Sequence, residues 1–307
     1  GLGDVYKRQV HTNYLLSYLD MQTLLQRMGE LRYTERDTDG NVWLRTNGGR
    51  LHSFAGSNFD GYRLSYQGIQ LGVDRRVPVS SGDLFVGAML GHTEADQSFD
   101  EGSGGARNTH VGIYGTWLHE NGFYIDAVLK AAHLKNNFSV NDTQGNRVKS
   151  SGSSNGYSAS VEAGKRFTLH REKDSQWFVE PQAQLVYTDQ GGFSSRASNG
   201  LKIHYDDYDS LLARAGGIVG YELSNAKHKS EVYLKGGYVR ELMADDIGYR
   251  INGTPKQSSD FSGGWREAAV GVSTRLTDGH SLFMEVGYRD GDNFDQNHAN
   301  VGYRFEY

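Results

Sequence analysis

Ala299-Asn300-Val301-Gly302-Tyr303-Arg304-Phe305-Glu306-Tyr307 closes the chain and alternates without a slip. On an extended strand Ala299, Val301, Tyr303, Phe305 and Tyr307 share one face, and Asn300, Gly302, Arg304 and Glu306 share the other. A strand of this period separates two media. The second face says which media they are. In a soluble sandwich the polar face meets bulk water. Here it mixes both signs of charge with glycine, which suits a crowded wet lumen where charges meet across strands. The apolar face carries aromatic rings near the strand end, as the interface belts of membrane barrels do.

The pattern repeats upstream. Leu282, Met284, Val286 and Tyr288 oppose Glu285, Gly287 and Arg289. Ala268, Val270, Val272 and Leu276 oppose Glu267, Gly271 and Arg275. Val179, Ala183, Leu185 and Tyr187 oppose Glu180, Gln182 and Gln184. From Val42 onward twelve such segments are expected: 42–52, 62–76, 83–96, 107–119, 122–138, 155–169, 177–189, 208–223, 230–241, 264–276, 280–290 and 297–307. Many exceed the usual strand length, as tilted membrane strands must. Their connections alternate between long (53–61, 97–106, 139–154, 190–207, 242–263, 291–296) and short (77–82, 120–121, 170–176, 224–229, 277–279), with hairpin signals at Glu120-Asn121-Gly122 and Asp278-Gly279. The expected fold is all-β, a 12-stranded antiparallel transmembrane barrel. Its even strand count returns the C-terminus to the end with short turns.

Composition agrees. Among 307 residues there are 40 Gly and 3 Pro, no Cys, and a net charge of −5. No disulfide scaffold or Cys-based zinc site is possible, and no basic excess invites nucleic acid. Mean hydropathy is −0.62, and no apolar run reaches the ~18 residues of a membrane helix. A barrel needs none, because only alternate residues face lipid. The chain opens on Gly1 without a secretory signal, as expected of a piece of a longer exported product. Residues 1–11 show no usable period and read as a disordered or non-native end. Residues 12–32 read as a linker helix: Leu15, Leu16, Leu19, Leu24, Leu25 and Met28 recur at helical spacing, Thr12 or Asn13 can cap it, and Gly29 can end it. Ser17, Asp20, Gln22, Gln26 and Arg27 make it too polar to span lipid.

The junction Arg27-Met28-Gly29-Glu30-Leu31-Arg32, followed by Val42-Trp43-Leu44-Arg45 and Gly48-Gly49-Arg50, resembles that of an autotransporter β-domain. So do Gly87-Ala88-Met89-Leu90-Gly91-His92, Val179-Glu180-Pro181-Gln182-Ala183-Gln184-Leu185 and the closing Val301 to Tyr307. The resemblance runs from about residue 12 to 307. It implies a type V secretion translocator in the outer membrane of a Gram-negative bacterium, exporting its own N-terminal passenger, with the 12–32 helix inside the 42–307 barrel. It also implies that Tyr303, Phe305 and Tyr307 form the signal read by the barrel-assembly machinery, with periplasmic chaperones as further partners. Such a domain would act as a single copy in outer-membrane lipid. Some members cut their chain at an Asn–Asn pair in the helix. Here the helix holds Asn13 alone, and Asn136-Asn137 lies in a strand.

Eleven charged residues are expected to line the lumen: Arg45, Asp126, Lys130, Glu162, Arg166, Glu180, Arg214, Glu267, Arg275, Glu285 and Arg304. Either they pair to satisfy one another, or they form a hydrated slide whose mixed signs trap neither charge type. No catalytic, cofactor or metal residues are expected. His204, Asp206, Asp207 and Asp209 cluster, but as a solvated acidic loop. No Gly-x-Ser-x-Gly elbow or His-x-x-x-His spacing occurs, and Gly102-Ser103-Gly104-Gly105 reads as a flexible loop tip. The rival readings are a general diffusion porin with an open lumen, a barrel hydrolase with an acid–base cluster at its outer rim, and a soluble all-β protein.

Overall fold

The computed structural model describes residues 24–31, 39–53, 62–99, 102–141, 144–225, 229–243, 246–251, 257–260, 263–277, 279–292 and 294–307. A five-residue helix, α1 (Leu24–Met28), precedes the strands β1 (Asn41–Ser53), β2 (Tyr62–Val79), β3 (Gly82–Phe99), β4 (Gly102–Leu118), β5 (Phe123–Asn141), β6 (Arg147–Lys165), β7 (Phe167–Arg171) and β8 (Ser175–Gln190). There follow β9 (Phe193–Arg196), β10 (Lys202–Tyr205), β11 (Tyr208–Ser224), β12 (Lys229–Glu241), β13 (Asp246–Ile251), β14 (Gln257–Asp260), β15 (Gly263–Thr277), β16 (His280–Gly291) and β17 (Phe294–Glu306). The linker helix expected over 12–32 is seen only as α1; residues 12–23 lie outside the described residues.

Each wall strand pairs antiparallel with its neighbour. The order runs from β11 through β12, β15, β16, β17 and β1 to β6 and β8, and a β8–β11 pairing closes the ring. β6 and β7 form one wall strand interrupted at Arg166, so the closed barrel has the twelve strands read from the alternation. β1 meets β17 over the full register from Asn41↔Glu306 to Ser53↔Phe294. The chain ends at the short-turn end, where the Asp39 amide donates to the Tyr307 carbonyl at 2.7 Å.

Alternation assigns the lower wall. On β8, Trp177, Val179, Pro181, Ala183, Leu185 and Tyr187 point outward while Phe178, Glu180, Gln182 and Gln184 point in. The roughly ten steps from Trp177 to Tyr187, at ~3.3 Å each and a tilt of ~40°, rise ~25 Å, the height of a membrane barrel's apolar band. Tyr157, Tyr187, Tyr238 and Tyr288 are exposed at the upper edge of this band, and Trp117, Phe123, Trp177 and Tyr303 lie at the lower. Inward glycines give large rings room. A Cβ on Gly72 would stand 2.1 Å from Trp43, its direct cross-strand partner, and one on Gly271 would stand 2.3 Å from Tyr233.

From the upper belt upward the polarity of the two faces inverts. Leu51, Leu64, Leu134, Phe138, Val140, Val148, Val186, Val239, Trp265 and Phe294 point inward and form one apolar core. Outward positions there are polar, such as Lys135, Asn137, Ser151 and Ser153. This corrects the expected connections. The segments 97–106 and 139–154 are mostly strand, and Gly102 to Gly105 open β4 rather than forming a loop tip. Their outward faces are polar because they stand in water, so the lipid signature is missing although the ladder continues. The 190–207 and 242–263 segments are not bare loops either. They supply a separate four-stranded sheet in the order β14-β13-β10-β9. Its Ile203 and Tyr205 join the apolar core that fills the upper lumen. Strands of four to six residues hold too few alternations to be read, and β10 pairs with β13 far away in sequence.

Candidate functional site in the barrel lumen

The lower lumen is a network of buried charge. Arg45, Glu162 and Glu285 are each 1% exposed. Asp126, Arg166, Glu180, Arg214, Glu267, Arg275 and Arg304 are also buried, and Lys130 occupies an inward position, half-buried. Arg304 grips Asp74 through both terminal nitrogens at 3.1 and 2.5 Å. The same carboxylate accepts from Asn41 Nδ2 at 2.9 Å and from the Tyr114 hydroxyl at 2.6 Å. Arg214 Nε donates to Glu267 at 2.5 Å and its Nη2 to Gln182 at 3.1 Å. Lys235 stands 3.3 Å from Glu285, which also accepts from the Tyr233 hydroxyl at 2.8 Å. Arg275 stands 3.8 Å from Glu306, and the Arg45 guanidinium lies over the Phe283 ring at 5.4 Å.

Arg166 is a hub. The break between β6 and β7 turns it into the lumen, while its amide donates to the Gly122 carbonyl of a short turn at 3.2 Å. Its guanidinium lies 3.7 Å from the Phe178 ring centroid and within 3.1, 2.6 and 3.6 Å of carboxylate oxygens of Glu180, Glu231 and Glu222. Buried ion pairs hold when close contacts offset the desolvation of both charges, and here one guanidinium is shared among several carboxylates.

The 24–31 segment crosses this network and touches opposite walls. The Leu24 amide donates to Glu162 Oε1 at 2.9 Å, and Gln26 Nε2 to Glu285 Oε2 at 2.6 Å. Arg27 donates twice to Asp126, at 3.0 and 2.7 Å, a charge-assisted fork. Glu30 lies 3.1 Å from Arg166. Leu24 and Leu31 pack into a wall patch of Trp43, Phe85, Met89, Tyr114, Tyr124 and Val128. This patch gives the leucines a dry seat inside an otherwise polar lumen.

Sequence reading did not single out Gln26, Arg27 or Glu30 as lumen contacts. The signal was their polarity on a helix otherwise rich in leucine. It also passed over Asp74, Glu231 and Lys235. The remaining candidates do not form a reactive site. His204 is exposed, 3.6 Å from Asp206 and 2.9 Å from Ser194 Oγ. Among the described residues no cluster suited to a metal ion occurs. Tyr303, Phe305 and Tyr307 face outward at the short-turn end. His280 hydrogen-bonds Tyr303 and lies 4.9 Å from the Phe305 ring.

A closed barrel with an apolar belt, a charged lower lumen and a segment of its own chain drawn through that lumen defines a class: the plugged outer-membrane barrels. The family model "Autotransporter beta-domain" matches residues 42–287, and the chain belongs to that family. It is 41% identical to the probable autotransporter YcgV of Escherichia coli over 97% of this chain and 31% of that protein. It is 35% identical to the pertactin autotransporter of Bordetella bronchiseptica, over 90% of this chain and 29% of that protein. The chain thus spans about three-tenths of the length of these relatives. The β-domain of the Bordetella autotransporter BrkA superposes with a TM-score of 0.72 at 28% identity, covering 88% of this chain and all of that one. The translocator domain of NalP from Neisseria meningitidis, at 14% identity, shares the fold with a TM-score of 0.73 over 97% and 99% of the two chains. The barrel is an outer-membrane translocator domain, with its short turns on the periplasmic side and the small sheet outside.

Proposed function

We propose that this barrel carries an N-terminal passenger of the same polypeptide to the cell surface, and that the 24–31 segment is the passenger's trailing end, docked in the lumen once export is complete. The observation that carries this reading is the matched docking of one short segment: Arg27 on Asp126, Glu30 on Arg166, Gln26 on Glu285 and the Leu24 amide on Glu162. A general diffusion porin has no use for such a segment. The lumen-lining charges serve both states. They pair with the segment when it is docked. During export they offer passing chain both signs of charge in water. No covalent chemistry is required of the barrel itself. Its insertion signal is the outward row Tyr303, Phe305 and Tyr307, presented to the barrel-assembly machinery after chaperoned passage through the periplasm. The working unit is a single copy in outer-membrane lipid, with no nucleic acid and no cofactor.

Conductance tests the docking. Purified barrels in planar bilayers are expected to be nearly closed. Arg27→Glu sets a carboxylate against Asp126, and its open-channel events are expected to rise at least several-fold. Combining it with Asp126→Arg restores the closed state. A charge swap that leaves conductance unchanged at every step would show that the segment does not plug the pore.

A further inference from the structure

The geometry points to a second binding site, on the outer surface of the barrel: a trough that takes the phosphorylated sugar headgroup of an outer-leaflet glycolipid. Above the upper aromatic belt the strands β3 to β6 continue well into water, and their outward face is hollowed. Two adjoining hollows of about 710 and 580 Å³ share Asp96, Gly105, Asn137 and Ser151. Gly105 leaves the floor open, since a Cβ there would come within 3.2 Å of Asn137 Oδ1. The floor therefore offers hydroxyls, an amide, the Asp96 carboxylate and backbone, the partners that sugar hydroxyls use, and leaves phosphates to the cations at its borders.

Cations border this floor at both levels. Arg107 and Lys135 face each other across β4 and β5 at the lower rim, with Glu94 3.7 Å from Arg107. Lys149 and Arg196 line the upper hollow. Arg196 stands directly opposite Lys202 on β10. A phosphate bound beside Arg196 would make charge-assisted hydrogen bonds to it. The next strands round the wall carry the other sign: Asp189 on β8, in register with Tyr157 of β6, and Asp209 on β11 oppose each other, both exposed, and bound the cationic trough on that side.

Height selects among membrane anions. Tyr157 of the belt is registered with Ala131. Lys135 lies four positions beyond Ala131, and Lys149 eight beyond Tyr157, so the cations stand ~10 to ~20 Å above the belt at ~3.3 Å per residue and a ~40° tilt. A phospholipid headgroup layer is only ~5–8 Å deep. A ligand that is anchored in the outer leaflet and reaches Lys149 must carry a headgroup several sugars long, and the two cation levels call for phosphates at both heights.

The test uses the whole chain, assembled in a Gram-negative host, extracted in mild detergent and placed in phosphatidylcholine nanodiscs doped with lipopolysaccharide of lipid A plus inner-core sugars. Native mass spectrometry reads the glycolipid bound per barrel. The wild type is expected to retain it. The triple variant Lys135→Ala, Lys149→Ala, Arg196→Ala is expected to lose roughly tenfold or more of its affinity, since charge-assisted contacts are the strong ones. Arg266→Ala, which removes an exposed cation paired with Asp290 elsewhere on the wall, serves as the control and is expected to bind as the wild type does. Folding of each variant is checked by its compact migration on unheated detergent gels. Enzymatic removal of the phosphates should match the triple variant. The site is refuted if the folded triple variant retains glycolipid like the wild type, if dephosphorylated lipid binds equally, or if phosphatidylglycerol competes on equal terms. Any of these results leaves the translocator reading intact, because that reading rests on the lumen.

Discussion

Asp74 shows how much one lumen side chain can hold. It sits on β2 and joins β17 through Arg304, β1 through Asn41 and β4 through Tyr114, whose hydroxyl also accepts from Trp43 Nε1 at 2.8 Å. Asp74→Ala removes the shared acceptor and leaves a buried guanidinium without its fork. Breaking a buried pair from one side costs about 3–5 kcal/mol. The variant is expected to unfold at clearly lower urea concentration, read as loss of the compact gel band, while Asp74→Asn recovers part of the loss through its remaining carbonyl. Residue by residue, the alternating face was legible in sequence wherever a charge stood between two apolar neighbours, as Glu285 does between Met284 and Val286. Asp74 was not, because Asp74-Arg75-Arg76 places three charges in a row and hides which one faces in. Arg27 and Glu30 were illegible for a different reason: helical spacing says which residues share a face, and nothing about which strand waits opposite.

At the level of elements, β17 carries two duties. It closes the ring against β1 along its whole length, and it displays the outward row Tyr303, Phe305 and Tyr307. Deleting Phe305 to Tyr307 removes both the last pairing with β1 and the aromatic end of the row. The truncated chain is expected to be absent from the outer membrane, measured as loss of heat-modifiable barrel in membrane fractions. Normal surface amounts would show that neither the last pairing with β1 nor the aromatic end of the row is needed for assembly. The long strands were legible because lipid imposes period two on them. Where the same strands leave lipid the imposed pattern ends, and β9, β10, β13 and β14 were hidden altogether. They are held by pairing with one another and by Ile203 and Tyr205 reaching into the upper core, contacts distant in sequence.

For the whole molecule, the fold and the lumen's chemistry followed from one periodicity, and the occupied lumen did not. A dozen alternating strands announce a barrel wide enough to hold something. The family resemblance implied a helix in the lumen; three-dimensional pairing adds that α1 docks in the lower half against charge and an apolar patch, and that a small sheet packs on apolar side chains in the upper half. These two fillings are chemically opposite, and the boundary between them is also the boundary between hydrocarbon and water on the outside.

That boundary amounts to a two-sided proofreading device for strand register. Leu185 faces lipid and its neighbour Val186 faces the upper core, so the inside–outside preference reverses within a single step of the backbone. Slide β8 by one residue and Glu180, Gln182 and Gln184 are thrust into hydrocarbon while Val186 is pulled out of the upper core; neither loss compensates for the other. A polar or ionisable group turned onto the lipid face is destabilising, the more so the nearer it lies to the middle of the membrane. Inserting one alanine between Ala183 and Gln184 is therefore expected to cut the yield of compact barrel severely, whereas a two-alanine insertion, which restores the parity of every side chain, should recover much of it.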